Sequence, residues 1–293
     1  MSKKVSVLTP CFNGEKYVYR YFDALLKQTY DNFEIIFVDD GSTDKTSEIV
    51  KEYIKGFEKR NVELKYIYQK NGGQAAAINN GLKHVTGEYL VWPDSDDYYE
   101  DDALEILAKE LDNDKSIAYV KGNSIFRKEK DLSIVDIPKP IDKDRNNFFE
   151  DYLFCTPNVC CFTGIMMIKF NEFKIANKGL DIYTSKAGQN WQIILPITYH
   201  YKGKYIDKNV HNYVIRENSH SHSIKGIKKE YKRTFELNDV LIKVLNKIDM
   251  PNEERKKYLK AISNKYSKER NSLIKKEIKR FLKKIYSKMN RWK

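Results

Sequence analysis

Apolar residues in the first hundred positions follow two periods, and the periods alternate. Val5-Ser6-Val7-Leu8 reads as a short buried strand. Helical spacing follows through Tyr17, Phe22, Leu25 and Leu26. Residues 33–38 form a second apolar run of strand length, and Ile49, Tyr53 and Ile54 mark a second helix. Leu64, Tyr66 and Ile67 mark a third strand. Gly72-Gly73 opens a helix of small residues over 74–84, and Gly87 launches an apolar strand over 89–92. This alternation predicts an α/β fold with a mostly parallel central sheet flanked by helices. Open sheets of that kind bind ligands at the carboxyl ends of their strands.

The pattern then loosens. Residues 117–126 and 164–168 read as strands, 205–215 alternate, and 128–147 read as a polar surface loop. Residues 188–199 read as a helix that Pro196 is expected to bend or end. From about position 225 the chain becomes Lys-rich and helical, with a break at Asp249-Met250-Pro251.

Two strand ends carry acids. The run over 89–92 stops at Asp94, Asp96 and Asp97. Carboxylates crowded at the edge of a buried strand need a partner to stay charged, and hard oxygen ligands suit magnesium or manganese. Acids that simply dress the helix start after Glu100 are the plainer alternative. The run over 33–38 stops at Asp39-Asp40-Gly41-Ser42, where an Asp can accept from a base or ribose. There the plainer alternative is an Asx-turn, with Ser42 or Thr43 capping the next helix.

Composition narrows the partners. The chain has 293 residues, 41% of them hydrophobic, enough for one large domain with an appendage. A net charge of +12 points to an anionic partner, but the excess lies after Lys225 and the acidic clusters lie before it. That split, and the lack of any nucleic-acid module signature, argues against a nucleic-acid-binding protein. Cys11, Cys155, Cys160 and Cys161 have no zinc spacing, and they read as small buried residues of a reducing compartment. Met1-Ser2-Lys3-Lys4 does not read as a signal peptide, and no apolar run nears the ~20 residues of a membrane span. The expectation is a soluble or peripheral protein of the cytoplasm.

Several ordered motifs resemble the inverting, nucleotide-sugar-dependent glycosyltransferases of family 2. They are Val5 to Tyr17 with its Thr9-Pro10-Cys11-Phe12-Asn13-Gly14 core, Gln28-Thr29-Tyr30, and Val38-Asp39-Asp40-Gly41-Ser42-Thr43-Asp44. Asn71-Gly72-Gly73, Asn79-Asn80-Gly81-Leu82, Thr86-Gly87-Glu88-Tyr89 and Asp94-Ser95-Asp96-Asp97 follow in order. The resemblance is close over the first third and weaker to about residue 223. It implies a GT-A fold over 1–224, with a nucleotide-sugar-binding half at 1–97 and an acceptor-binding half at 98–224. Residues 225–293 are then a basic helical tail.

By position, the resemblance implies that Pro10, Phe12 and Glu15 border the base and ribose. Asp40 would bond the base, Asp94 would meet ribose or donor sugar, and Asp96 would hold a manganese or magnesium ion on the diphosphate. Core packing is the plain alternative for Phe12. The donor implied is a nucleotide sugar, with UDP favoured. The acceptor implied is a glycan or a lipid-linked intermediate of cell-surface polysaccharide synthesis. A nucleotidyltransferase would instead need a glycine-rich basic loop, which residues 10–17 do not resemble.

One segment departs from the family. Where it carries a catalytic carboxylate after a glycine, this chain has Gly188-Gln189-Asn190-Trp191. An amide cannot act as a general base. Gln189, Asn190 and Trp191 are expected to border substrate, and the base passes to Asp181 or to His220. Arg216 is a candidate diphosphate partner. The alternative is a donor-binding scaffold that has lost catalysis. In the tail, Ile274, Ile278, Phe281, Leu282, Ile285 and Trp292 recur at helical spacing among lysines and arginines. This suits an anionic membrane surface at the inner face of the plasma membrane, or packing on the enzyme or a second subunit.

Overall fold

A computed structural model describes residues 2–142, 145–157, 159–179, 182, 188–216 and 226–289, without the side chains of 284–289. Two compact units divide the chain, Met1–Ile215 and Arg216–Lys293.

The first unit begins with the expected alternation: β1 (Val5–Cys11), α1 (Val18–Leu26), β2 (Phe33–Asp39), α2 (Thr46–Glu58), β3 (Glu63–Tyr68), α3 (Gln74–Leu82) and β4 (Tyr89–Val91). Next come β5 (Tyr98–Tyr99), α4 (Ala103–Asn113), β6 (Tyr119–Lys128), β7 (Ile134–Asp136) and α5 (Phe149–Phe154). A 3-10 turn, Thr163–Ile165, leads into β8 (Met166–Lys169), α6 (Phe170–Ala176), α7 (Gln189–His200) and β9 (Gly203–Ile215). Helix α7 runs through Pro196 to His200, so the expected early end does not occur. Strand β7 lies inside the segment expected to be loop.

Among the described residues the strands form one sheet in the order β3-β2-β1-β4-β8-β6-β9-β5, with β7 paired to β6. Pairing is parallel from β3 to β4. Beyond β4 it is mixed: β8 runs antiparallel to β4 and β6, while β9 runs parallel to β6. This reversal has a consequence for the site. The start of β8 and the ends of β6 and β9 lie at the same sheet edge as the carboxyl ends of β1, β2, β3 and β4.

Alternation along the strands sorts the core. Val5, Val7, Ile35 and Phe37 pack with Tyr21, Phe22, Ile49 and Phe57 of α1 and α2. Phe22 is fully buried, with its ring 5.3 Å from Phe37 and 6.0 Å from Phe57. Losing such a ring costs about 3–5 kcal/mol. The other face, with Leu8 and Val38, receives α3. A Cβ on Gly81 would fall 2.2 Å from Leu8 Cδ1, so that glycine sets how closely the helix seats.

The second unit is a hairpin of α8 (Ile227–Lys247) and α9 (Asn252–Met289). Leu241, Leu245, Tyr258, Ile262 and Tyr266 are among its buried residues. Arg255 donates to the carbonyls of Ile248 and Met250 at 2.9 and 3.2 Å, which satisfies groups freed at the end of α8. Among the described residues no helix is long and apolar enough to cross a membrane. The cysteines depart from expectation. Only Cys11 is buried, with its thiol pushed up to about 12 by burial, while Cys155 is exposed and Cys160 and Cys161 are half-buried.

Candidate functional site

The site grows from the shared sheet edge. After β1 and β2 the chain makes two loops that lock together. Asn13, at φ 53°, donates its N–H to Ser42 Oγ and accepts from Thr43 N–H at 2.8 Å. Gly14 N–H donates to Thr46 Oγ1, and Lys45 N–H donates to Glu15 Oε2. Ser42 and Thr43 are therefore engaged with Asn13 and do not cap α2. Asp44 serves its first turn instead, accepting from Thr46 N–H at 3.0 Å and from Glu15 N–H. Although burial pushes the Asp44 carboxyl up, the hydrogen bonds from Thr46 and Glu15 outweigh it and hold the group below its usual range.

The nucleotide-side candidates divide by exposure. Pro10 is buried within β1. Phe12 is 52% exposed beyond it, which removes the core-packing alternative. Tyr68, at the end of β3, is 62% exposed at the same edge and was not anticipated. Asp39 is internal, accepting from Ser42 N–H and from Tyr66 Oη–H. Asp40 is 3% exposed, and its carboxylate already holds the turn before α3. Oδ1 accepts from Gln69 Nε2 and Gly72 N–H, and Oδ2 from Gly73 N–H, each at 2.8 Å. A carboxylate has about four acceptor positions, so one remains, on Oδ2.

Asp94, Asp96 and Asp97 stand at the end of β4 with their ligand atoms within 4.8 Å of one another. Two face the edge and one is internal. Asp97 accepts from Val214 N–H at 2.8 Å, and its other oxygen lies 3.5 Å from His211 Nε2. Burial, then Asp96 and Asp94, raise the Asp97 carboxyl well above its usual range. Burial drops the His211 imidazole to about 3, so this contact is not an ion pair. Asp94 accepts from Gln74 Nε2 at 3.1 Å. Arg20 donates to the Asp96 carbonyl at 2.6 Å and lies over the Tyr98 ring, fixing the turn that carries the acids. Oxygen-only donors this close suit a hard divalent ion, with Asp96 as its expected ligand.

Gln189 and Asn190 occupy the first turn of α7, half-buried, after Gly188 at φ 74°. Trp191 is buried, and its indole donates to the Tyr152 carbonyl at 3.0 Å, which anchors α7. Asp181 and His220 lie outside the described residues. Arg216 is half-buried and belongs to the second unit. A further unanticipated residue is Asn79. Its amide donates to the Ile182 carbonyl at 2.8 Å and accepts from Ile182 N–H at 2.7 Å, clamping both backbone groups of that residue.

A sequence profile described as Glycosyl transferase family 2 matches residues 6–173. The chain is 42% identical over 108 residues to Glycosyltransferase GlyA of Streptococcus pneumoniae serotype 4, covering 37% of this chain and 15% of that protein. It is 37% identical over 148 residues to an uncharacterised glycosyltransferase of Rickettsia typhi, covering 49% and 44%. The chain thus spans less than half the length of these relatives. Among solved structures, S. aureus TarS 1–349 in complex with UDP-GlcNAc aligns with TM-score 0.67 at 19% identity, covering 90% of this chain and 72% of that one. The mannosyltransferase PcManGT of Pyrobaculum calidifontis, in complex with GDP-Man and Mn2+, aligns with TM-score 0.61 at 18% identity, covering 91% and 70%. At such identities the likeness establishes the fold, a mixed α/β architecture of GT-A type.

Proposed function

The chain belongs to glycosyl transferase family 2, and from that premise we propose that it moves a hexosyl group from a UDP-sugar to a hydroxyl of a glycan or lipid-linked acceptor, with inversion. The observation that carries this reading is the order of groups along one sheet edge. The interlocked loops after β1 and β2 lie on one side of the acidic cluster, and the ends of β8, β6 and β9 on the other. A donor diphosphate at the acids would then point its nucleotide one way and its sugar the other.

In this reading Phe12 and Glu15 border the base and ribose, with Pro10 shaping the wall behind them. The free position on Asp40 Oδ2 accepts from the base. Asp94 meets ribose or sugar, and Asp96 holds manganese or magnesium. The bound ion supplies charge neutralisation of the leaving diphosphate. A carboxylate takes the acceptor proton, the freed oxygen attacks the anomeric carbon, and the bond to the diphosphate breaks with its electrons leaving on UDP. Gln189 and Asn190 orient the acceptor by hydrogen bonding. Asp181 is our first assignment for the base, His220 the second, and Arg216 a diphosphate partner. A panel of nucleotide sugars, assayed for released nucleotide with and without Mn2+, tests this. Release confined to UDP-sugars and dependent on metal is expected; no release from any member would overturn the reading.

The amides at 189 and 190 favour a second reading, a donor-binding scaffold without transfer. Gln189→Glu with Asn190→Asp separates the two. A lost site should gain about 10²–10⁴ in rate, and an adapted one should gain nothing.

The tail supports a peripheral membrane location at the inner leaflet, where surface-polysaccharide intermediates would be met. Ile274, Ile278, Phe281 and Leu282 are all exposed and share one arc of α9 about 100° wide. Lys276, Lys279, Arg280 and Lys283 face away from it. Truncation from about Lys268 should release the protein from anionic vesicles. Unchanged or salt-insensitive binding would refute this.

A further inference from the structure

Three aromatic residues at the sheet edge have no part in the reading so far. The parallel register of β6 and β9 sets Phe126 beside Tyr213, with ring centres 5.3 Å apart. Phe162, just before the 3-10 turn into β8, covers both. Its ring is 5.4 Å from Tyr213 and 6.3 Å from Phe126, edge-on to the latter. All three are half-buried, unlike the fully enclosed rings of Tyr21, Phe22 and Phe37.

Their position decides their use. Tyr213 precedes Val214, whose N–H holds Asp97. Phe162 lies 5.5 Å from the His211 ring, which contacts the same carboxyl. Thr163 Oγ1 donates to the Trp92 carbonyl at 3.0 Å, two residues before Asp94. The trio therefore flanks the acidic cluster. The sheet order sets it on the side opposite the β1 and β2 loops, which Phe12 and Asp40 mark.

We propose that Phe162, Tyr213 and Phe126 form an acceptor subsite that stacks the pyranose ring of the sugar receiving the transfer. A pyranose presents a C–H face that an aromatic ring covers well, while its hydroxyls stay free at the rim to bond or react. Partly exposed aromatic walls with few polar groups are the usual lining of such pockets. A phosphate would gain little from ring faces set beside carboxylates. The inference rests on the glycosyltransferase reading and adds the acceptor class to it.

The test separates ring from volume. Tyr213→Phe and Tyr213→Leu, and Phe162→Leu, are made in the full chain. Three quantities are measured: the UDP-induced thermal shift with Mn2+, the half-saturating concentration of methyl glycosides (glucoside, galactoside, N-acetylglucosaminide) in nucleotide release, and saturation-transfer NMR of the same glycosides. Expected is half-saturation about three- to tenfold higher in both Leu variants than in Tyr213→Phe, which keeps the ring, with the UDP shift intact in all of them. NMR transfer should weaken in parallel. Equal half-saturation in Phe and Leu variants would overturn the subsite. So would loss of the UDP shift in the Leu variants, which would make the trio a scaffold for Asp97. Absence of NMR transfer from every glycoside to the wild-type protein would overturn it too. Nucleotide release from no donor, with NMR transfer retained, would instead fault the glycosyltransferase reading.

Discussion

Asp96→Asn isolates the proposed metal ligand from the fold, and the structure gives the sign of each effect. The side chain of Asp96 stands within 4.8 Å of Asp94 and the buried Asp97, all acceptors. Two unit charges at that distance repel by about 3–4 kcal/mol at an effective dielectric of 20. Partial exposure of Asp96 reduces this to about 1 kcal/mol. Removing its charge should therefore leave the metal-free protein unchanged, or raise its Tm by about 2–4 °C in a unit of 215 residues. Ligand changes the order. Wild type at a hundredfold excess of Mn2+ and UDP over Kd should gain about 2.7 kcal/mol, or roughly 5–11 °C. The variant should gain little and release no nucleotide. Melting followed by fluorescence, with each ligand alone and together, reads both halves. An Asp96→Asn protein that melts well below wild type without ligand would show a structural residue. One that keeps the full ligand shift would remove the ion from Asp96.

Asp40→Ala removes three hydrogen bonds, but Gly72 and Gly73 are exposed and can turn to water. The expected loss is about 1.5–3 kcal/mol, together with loss of any preference for UDP over CDP in wild-type thermal shifts; equal wild-type shifts would refute base recognition. Asn79→Ala should lower kcat far more than donor affinity, since it frees Ile182 and leaves the β1 and β2 loops intact. Matching losses in both would refute that separation. Burial lowers the Lys121 ammonium to about 8, against about 10.4 in an unfolded chain. Its charging thus costs stability as pH falls from above 10 through 8. Lys121→Met should stabilise by about 2 kcal/mol at pH 7 and by little near pH 10, and an equal gain at both would refute the account.

The nucleotide half was legible because its elements are local. Val5 to Val38 carries strand, helix and turn signals within a few residues of one another, and the period switch is strong. Asp94 and Asp96 were legible because an apolar run stops at them. In the acceptor half the strands over 117–126, 164–168 and 205–215 and the helix over 188–199 were legible as elements, but their order and direction were not, for a physical reason. β8, β6 and β9 are antiparallel or parallel by long-range pairing, and nothing in an apolar run states its direction. Side-chain destinations were also hidden. Trp191 reads as a residue bordering substrate beside two amides, but its indole finds the Tyr152 carbonyl 39 residues away. The Asn79 clamp spans 103 residues. Ser42 and Thr43 carry the residue types of a helix cap, and the facing loop took them.

The small residues of α3 acquire a meaning from these contacts. Ala75, Ala77 and Gly81 let the helix sit hard on β1 and β2, where a longer side chain would lift it. From that seat its polar residues reach in three directions. Gln74 bonds Asp94 on the acidic turn. Asn80 bonds Gln69, which bonds Asp40 at the nucleotide loops. Asn79 grips Ile182, the residue after the assigned base. Each bond is worth only about 1 kcal/mol, so none explains the fold's stability. Their common origin on nine residues of one helix matters more. A rigid element that touches all three regions fixes their separations, and transfer in line depends on separations to within fractions of an ångström. The composition that looked merely permissive in the sequence is thus what allows one helix to hold the groups proposed for donor, metal and acceptor in register.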